Sequence, residues 1–155
     1  MTEQERLVML ARAAAFRHKL DPALVCAIAH HESAGWQTWA SRYEPAFYKR
    51  YIENLQPPAF KRFGRFISEE TERKDRATSF GLMQVMGQVA RERGFTGEWL
   101  TELMDPQVGL EYGCRQLARK LANANNDRDK ALLAYNGGAN PQYPRLVMEH
   151  YPKYA

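Results

Sequence analysis

The stretch PALVCAIAHHESAG, residues 22–35, decides how the rest of the chain reads. Asp21 followed by Pro22 is a helix start: a side chain that caps free amides, then a ring that presets the first-turn φ. Leu24, Val25 and Ile28 fall at helical spacing, and Gly35 marks a stop. The helix so predicted carries Glu32 one turn beyond Ile28, at the edge of the apolar face. Burial there disfavours the charged carboxylate. Glu32 is therefore either a solvated helix-end residue or an acid kept for use.

Working outward, Thr2 and Glu5 have the spacing of a capping box, with Leu7, Leu10, Ala11, Ala14 and Ala15 repeating at helical intervals behind them. Pro45 opens a third helix through Phe47, Tyr48 and Tyr51, which Gln56-Pro57-Pro58 ends. Residues 59–77 are charged and mixed, without a clear period. A fourth helix is predicted from Gly81 to Arg93, with Thr78 or Ser79 as cap and Gly94 as terminator. Asp105-Pro106 repeats the cap-then-proline signal for a fifth, running to Ala122. Asn126 or Asp127 caps a sixth that stops at Gly137-Gly138, and a last helix occupies 144–151. Strand signals are weak throughout. The expectation is a mainly α, compact single domain over residues 1–155.

At 155 residues the chain can bury a core without disulfide or metal staples. Its net charge of +4 admits an anionic partner, yet basic and acidic residues interleave (EETERKDR, RERGFTGE), which argues against a dedicated nucleic-acid patch. No run approaches the roughly 18 apolar residues of a membrane span, so stable membrane insertion is not expected. The start, MTEQERLVMLARAAAF, has acids where a signal peptide needs basic residues, and it reads as a helix. Cys26 and Cys114 stand in apolar helical contexts and read as buried free thiols rather than a bridge. His30, His31 and Glu32 are consecutive and fan by about 100° per residue on a helix, so they cannot all ligate one metal. His18 and His150 are isolated. No metal or other cofactor is expected.

Two further stretches read with the first: TSFGLMQVM at 78–86 and LLAYNGGAN at 132–140. HHESAG, TSFGLMQVM and LLAYNGGAN, in this order and with an Asp-Pro helix between the last two, resemble the soluble-type lytic transglycosylases and their relatives the goose-type lysozymes, with many phage endolysins among them. The resemblance runs from about Asp21 to Asn140. It implies a lysozyme-like fold and peptidoglycan glycan strands as the substrate, cut between N-acetylmuramic acid and N-acetylglucosamine by a monomeric enzyme. It also implies that Glu32 is the catalytic acid, since cleaving a glycosidic bond requires protonating the leaving oxygen. Ser79, Gly81, Gln84 and Met86 match the segment whose glycine lets backbone approach the sugar; Gln84 is expected to meet an N-acetyl group or Glu32. Tyr135 and Asn136 match the family's tyrosine-asparagine pair, whose hydroxyl reaches towards the acid. Without a signal peptide, such an enzyme is expected to wait in a host cytoplasm until released to the wall as a phage or prophage lysin, or to be a domain excised from a longer protein.

The chain departs from the soluble-type pattern between the first two motifs, where Glu32 and Gly81 lie 49 positions apart. The intervening segment, residues 42–77, is rich in aromatics and arginine and suits either a sugar groove or packing onto the core. Its Arg42-Tyr43-Glu44 and Phe47-Tyr48 resemble elements of some phage muramidases. An inverting hydrolase needs a second carboxylate to activate water; Asp75 matches the upstream acid of goose-type lysozymes, and Glu44 is a further candidate. The downstream acid position holds Met86, as in lytic transglycosylases, which need only one carboxyl. Transglycosylation through Glu32 is the favoured reading. A hydrolase, a non-catalytic wall-binding virion module and a basic nucleic-acid binder are the alternatives.

Overall fold

The computed structural model describes residues 1–155. Helix α1 (Glu3–Arg17) begins with the expected capping box: the Thr2 hydroxyl accepts from the Glu5 amide at 3.1 Å, and the Glu5 carboxylate accepts from the Thr2 amide at 2.6 Å. Helix α2 (Pro22–Glu32) is capped by Asp21, whose carboxylate takes the Ala23 amide at 2.9 Å. Every α2 residue from Ala23 to Ala29 is buried, so α2 is the central rod of the fold. Around it pack α1, α8 (Tyr143–Met148) and α9 (Tyr151–Tyr154), while α6 (Pro106–Asn123) packs on α1 and on α7 (Arg128–Tyr135). Asp105 caps α6 and Asp127 caps α7. One core of 27 buried residues joins these elements, and the fold is mainly helical. Cys26 and Cys114 both lie in that core as free thiols, and burial pushes them up to about 11 and about 12.

The region between α2 and α6 departs most from expectation. The helix predicted from Gly81 to Arg93 is a β-hairpin followed by one short helix. Strands β1 (Ser41–Tyr43), β2 (Thr78–Phe80) and β3 (Val85–Met86) form an antiparallel sheet in that order, and α5 covers only Gly87–Glu92. Thr78 and Ser79 are strand residues, not caps. The turn between β2 and β3 puts Gly81 at φ +76° and Gln84 at φ +47°, values no α-helix contains. Strands of two and three residues leave too little alternation for a period-2 signal. The third predicted helix is one α-turn, α3 (Pro45–Phe47), widening into a π-helical turn at Tyr48–Ile52. The last predicted helix is broken in two after Met148.

The unreadable segment 59–77 holds helix α4 (Glu69–Arg76), whose Ser68 cap takes the Thr71 amide at 3.1 Å. Its Glu72 is fully buried between Arg76 (2.8 Å) and Arg91 of α5 (2.7 Å). Arg76 also donates to the Lys61 carbonyl at 2.7 Å, and Arg73 to the Ile52 carbonyl at 2.9 Å. Phe60 stacks under Arg73 and Arg76, and Phe63 under Arg91. The charged string EETERKDR thus ties the loop ahead of α4 to α5, and Phe60 and Phe63 pack on arginines instead of offering faces to a sugar.

Candidate active site

A cleft of about 860 Å³ runs between the C-terminal end of α2, the β-sheet, α6 and the 134–143 segment. Glu32 opens into it as the last residue of α2. The turn after it is pinned by Ser33, which donates to the Ala29 carbonyl at 2.5 Å and accepts from the Trp36 amide at 2.9 Å. The serine of the Glu-Ser pair is fully buried, so it fixes where the helix stops and where Glu32 points. Burial raises the Glu32 carboxyl above its ordinary 4.5; a hydrogen bond from Tyr143 and the charge of Arg42 pull the other way without cancelling it. The Tyr143 hydroxyl donates to Glu32 Oε1 at 2.6 Å. No arginine, lysine or histidine pairs directly with Glu32. This carboxyl therefore holds its proton further towards neutral pH than an exposed one.

The hydroxyl bonded to the acid belongs to Tyr143, whereas the motif implied Tyr135, whose own hydroxyl feels the Glu32 charge without bonding it. Tyr135 lines the cleft, but its hydroxyl donates to the Met83 carbonyl at 2.7 Å, tying α7 to the β2–β3 turn. Gln84 also lines the cleft without touching Glu32. Its amide nitrogen donates to the Ala40 and Gly81 carbonyls, both at 3.0 Å, which locks the turn against the strand that carries Arg42. Gly81 lies outside the cleft lining. Its φ of +76° and the Leu103 carbonyl oxygen, 2.3 Å from where a Cβ would stand, require glycine for packing rather than for an approaching sugar. Ser79, Met86 and Asn136 line the cleft.

Of the two candidate second carboxylates, Glu44 lies in the cleft, ion-paired with Arg42 at 2.6 Å. Asp75 does not line it. Asp75 sits on the last turn of α4, and burial together with neighbouring Glu72 raises its carboxyl to about 6. Phe47 is the one phenylalanine of the 42–77 segment on the cleft wall. His31, also on the wall, meets the Tyr143 ring edge-on at 5.5 Å. His150, which looked isolated, stacks on His30 at 4.0 Å, and Tyr154 bonds both His30 Nδ1 and Trp36 Nε1 at 2.8 Å. His18 likewise has a partner, Glu111 at 2.8 Å. Burial lowers both His30 and His31.

Sequence reasoning missed Tyr143, Gln116 and Lys120. Tyr143 stands 111 positions from Glu32, and its flanking ANPQYPRL carries no periodic or motif signal. Gln116 and Lys120 read as the polar side of an amphipathic helix, which is where both a solvated face and a cleft wall would be written. Comparisons with curated proteins and with solved structures returned no match. A family model described as the transglycosylase SLT domain matches residues 9–143, a span containing every residue of the cleft, and the chain accordingly belongs to that peptidoglycan-cleaving family.

Proposed function

We propose that the chain is a lytic transglycosylase that cuts the β-1,4 bond between N-acetylmuramic acid and N-acetylglucosamine, with Glu32 as acid and then base. The observation that carries this reading is a mostly buried carboxyl facing the cleft, held by a tyrosine hydroxyl and by no cation. Glu32 gives its proton to the glycosidic oxygen as the bond from that oxygen to the anomeric carbon breaks. The resulting carboxylate takes the proton of the muramic acid's own 6-hydroxyl, and that oxygen closes on the anomeric carbon. The product ends in 1,6-anhydromuramic acid, Glu32 is protonated again and no water is consumed. The 6-hydroxyl is already attached to the reacting sugar, so its effective concentration exceeds that of an unactivated water. Met86 on the cleft wall, where a hydrolase would hold an acid, supports the same reading.

A second reading, inverting hydrolysis, is favoured by Glu44, which lines the same cleft. Its carboxylate is ion-paired with Arg42 at 2.6 Å. The Arg42-Tyr43-Glu44 element, whose Arg42 and Glu44 line the cleft, also supports placing the chain with phage lysins, which are expected to act as monomers and to reach the wall after release.

Mass spectrometry of muropeptides released from purified peptidoglycan tests the choice. Fragments lighter by one water than the hydrolysed form, and resistant to borohydride, are expected. Asp75→Asn is expected to change the rate only modestly. Reducible ends, together with loss of activity in Glu44→Gln, would establish hydrolysis instead.

A further inference from the structure

The stretch HHESAG brings two histidines to the cleft end of α2, and glycan cleavage at Glu32 uses neither. The α8–α9 corner adds a third. His150 stacks on His30 with ring centroids 4.0 Å apart and lies 6.0 Å from His31. His31 meets the Tyr143 ring edge-on at 5.5 Å, and Tyr143 donates to Glu32. A row of four rings thus runs from His30 through His150 and His31 to the hydroxyl on the acid.

The bonding at the far end of the row fixes its charge. Trp36 Nε1 is a donor only, so the Tyr154 oxygen accepts from it at 2.8 Å. Tyr154 is buried, and the other partner of its hydroxyl is His30 Nδ1 at 2.8 Å. The hydroxyl hydrogen therefore goes to an unprotonated nitrogen, and His30 is neutral in this arrangement. Burial, then the charges of His150 and Lys153, lower His30 below its ordinary 6.5. Burial and His150 lower His31 likewise, with Glu149 pulling the other way. The remaining charged or titratable neighbours are Arg12 of α1, which donates to the Tyr154 carbonyl at 2.7 Å, Glu32 itself and Tyr135 of α7. The histidine that ion-pairs with a carboxylate is His18, which is not one of these three.

We infer that His31 and His150 are positioning residues: uncharged, they hold the Tyr143 hydroxyl on Glu32, and protons arriving on the histidine row part the α8–α9 corner from α2 and release it. Two imidazolium rings at stacking distance repel, and a protonated His30 would set its own N–H against the Tyr154 O–H. Tyr143 opens α8 and His150 precedes α9, so a loosened stack frees the tyrosine. Glu32 keeps its proton in acid; what it loses is orientation. The inference rests on Glu32 being the acid of the reaction above. It adds an acid limit that a one-carboxyl mechanism does not contain.

Turnover and KM on soluble peptidoglycan fragments, measured from about pH 7 to about pH 5, test this. The parent's kcat is expected to fall about tenfold across that range, with KM changed less than about twofold. The double variant His31→Phe, His150→Phe keeps a ring in both places and takes no proton there. A charged His30 is attracted to a phenylalanine face, so this variant's kcat should fall less than about threefold. Tyr143→Phe should start about tenfold lower and fall no further, because the row acts through that hydroxyl. Asp75, raised to about 6, titrates in the same range from α4, and Asp75→Asn should leave the acid limb in place. If the double variant does not fold, NMR of the parent carries the test: the Tyr143 ring signals should move across this range together with those of His31. A flat parent kcat, a double variant or a Tyr143→Phe limb as steep as the parent's, an acid limb that vanishes in Asp75→Asn, or Tyr143 signals that stay still overturns the inference while the acid role of Glu32 stands. Wall lysis that survives Glu32→Gln overturns that role instead, and the Tyr143 signals then judge the row by themselves.

Discussion

Two glutamates of this chain are withdrawn from water, and they are put to opposite uses. Glu72 is fully buried at the junction of α4 and α5, with Arg76 on one oxygen and Arg91 on both. Phenylalanines 60 and 63 close over those guanidinium groups. Glu32 stands at the open end of α2 with one tyrosine hydroxyl and no cation in contact. Burial alone thus does not make a carboxyl into an acid catalyst. What surrounds it decides: two guanidinium groups make a structural tie, and a hydroxyl with no cation in contact leaves a proton available for transfer.

Glu32→Gln is the sharpest test of that contrast and carries the largest expected effect. The amide keeps the shape and loses the transferable proton, so wall lysis should fall by about 10²- to 10⁴-fold. Stability should move the other way. The fold holds the Glu32 proton more tightly than the unfolded chain does, so this contribution is present in acid and lost as pH rises through the raised folded value. The variant should therefore melt above the parent near neutral pH, with the gap closing as pH falls towards 4.5. Thermal melts across that range check it, and a variant that melts lower at neutral pH would remove the idea that Glu32 is held there against its own preference.

Glu72→Gln should do the reverse, costing fold rather than chemistry. It leaves Arg76 and Arg91 buried beside an uncharged amide, and breaking a buried pair by removing one partner costs about 3–5 kcal/mol. Urea unfolding measures this. Activity per folded molecule should survive, since none of these three residues lines the cleft. A loss of turnover without a loss of stability would mean that the α4–α5 tie belongs to the site after all.

The same contrast explains what the sequence could be read for. The helices around the core were legible because capping residues sit next to the segments they cap: Thr2 with Glu5, Asp21 with Pro22, Asp105 with Pro106. Glu32 was legible because its burial follows from the helix it ends. The Glu72 tie was not, because its partners come from α4, from α5 and from a loop, and a string such as EETERKDR looks the same whether solvated or folded inward. The β-hairpin at 78–86 was misread as a helix because Leu82 and Met83 are buried in the turn and Val85 in the two-residue strand after it, and the positive-φ residues of that turn, Gly81 and Gln84, announce themselves only in three dimensions. The motif implied that the Tyr135 hydroxyl reaches the acid, but it bonds the Met83 carbonyl and Tyr143 bonds Glu32; two tyrosines from successive helices lie at that corner and only their geometry separates them.

Those two tyrosines give the smallest and most discriminating prediction. Tyr143→Phe removes the donor to Glu32 Oε1, and that bond opposes the rise in the Glu32 carboxyl. The proton should then be held still more tightly. A hydrogen bond from a hydroxyl favours the charged carboxylate, so removing it favours the protonated acid. The alkaline limb of the lysis profile, where Glu32 loses the proton it must donate, should move upward. Turnover on the plateau should drop about tenfold as the acid loses its orientation. Tyr135→Phe is the matched control, because its hydroxyl bonds the Met83 carbonyl instead. It should lower stability by about 1 kcal/mol and leave the alkaline limb where it was. Both profiles come from one turbidity assay run across pH. If Tyr135→Phe shifted the limb and Tyr143→Phe did not, the acid would be oriented by the tyrosine that the motif named, and the contact at 2.6 Å would be incidental to catalysis.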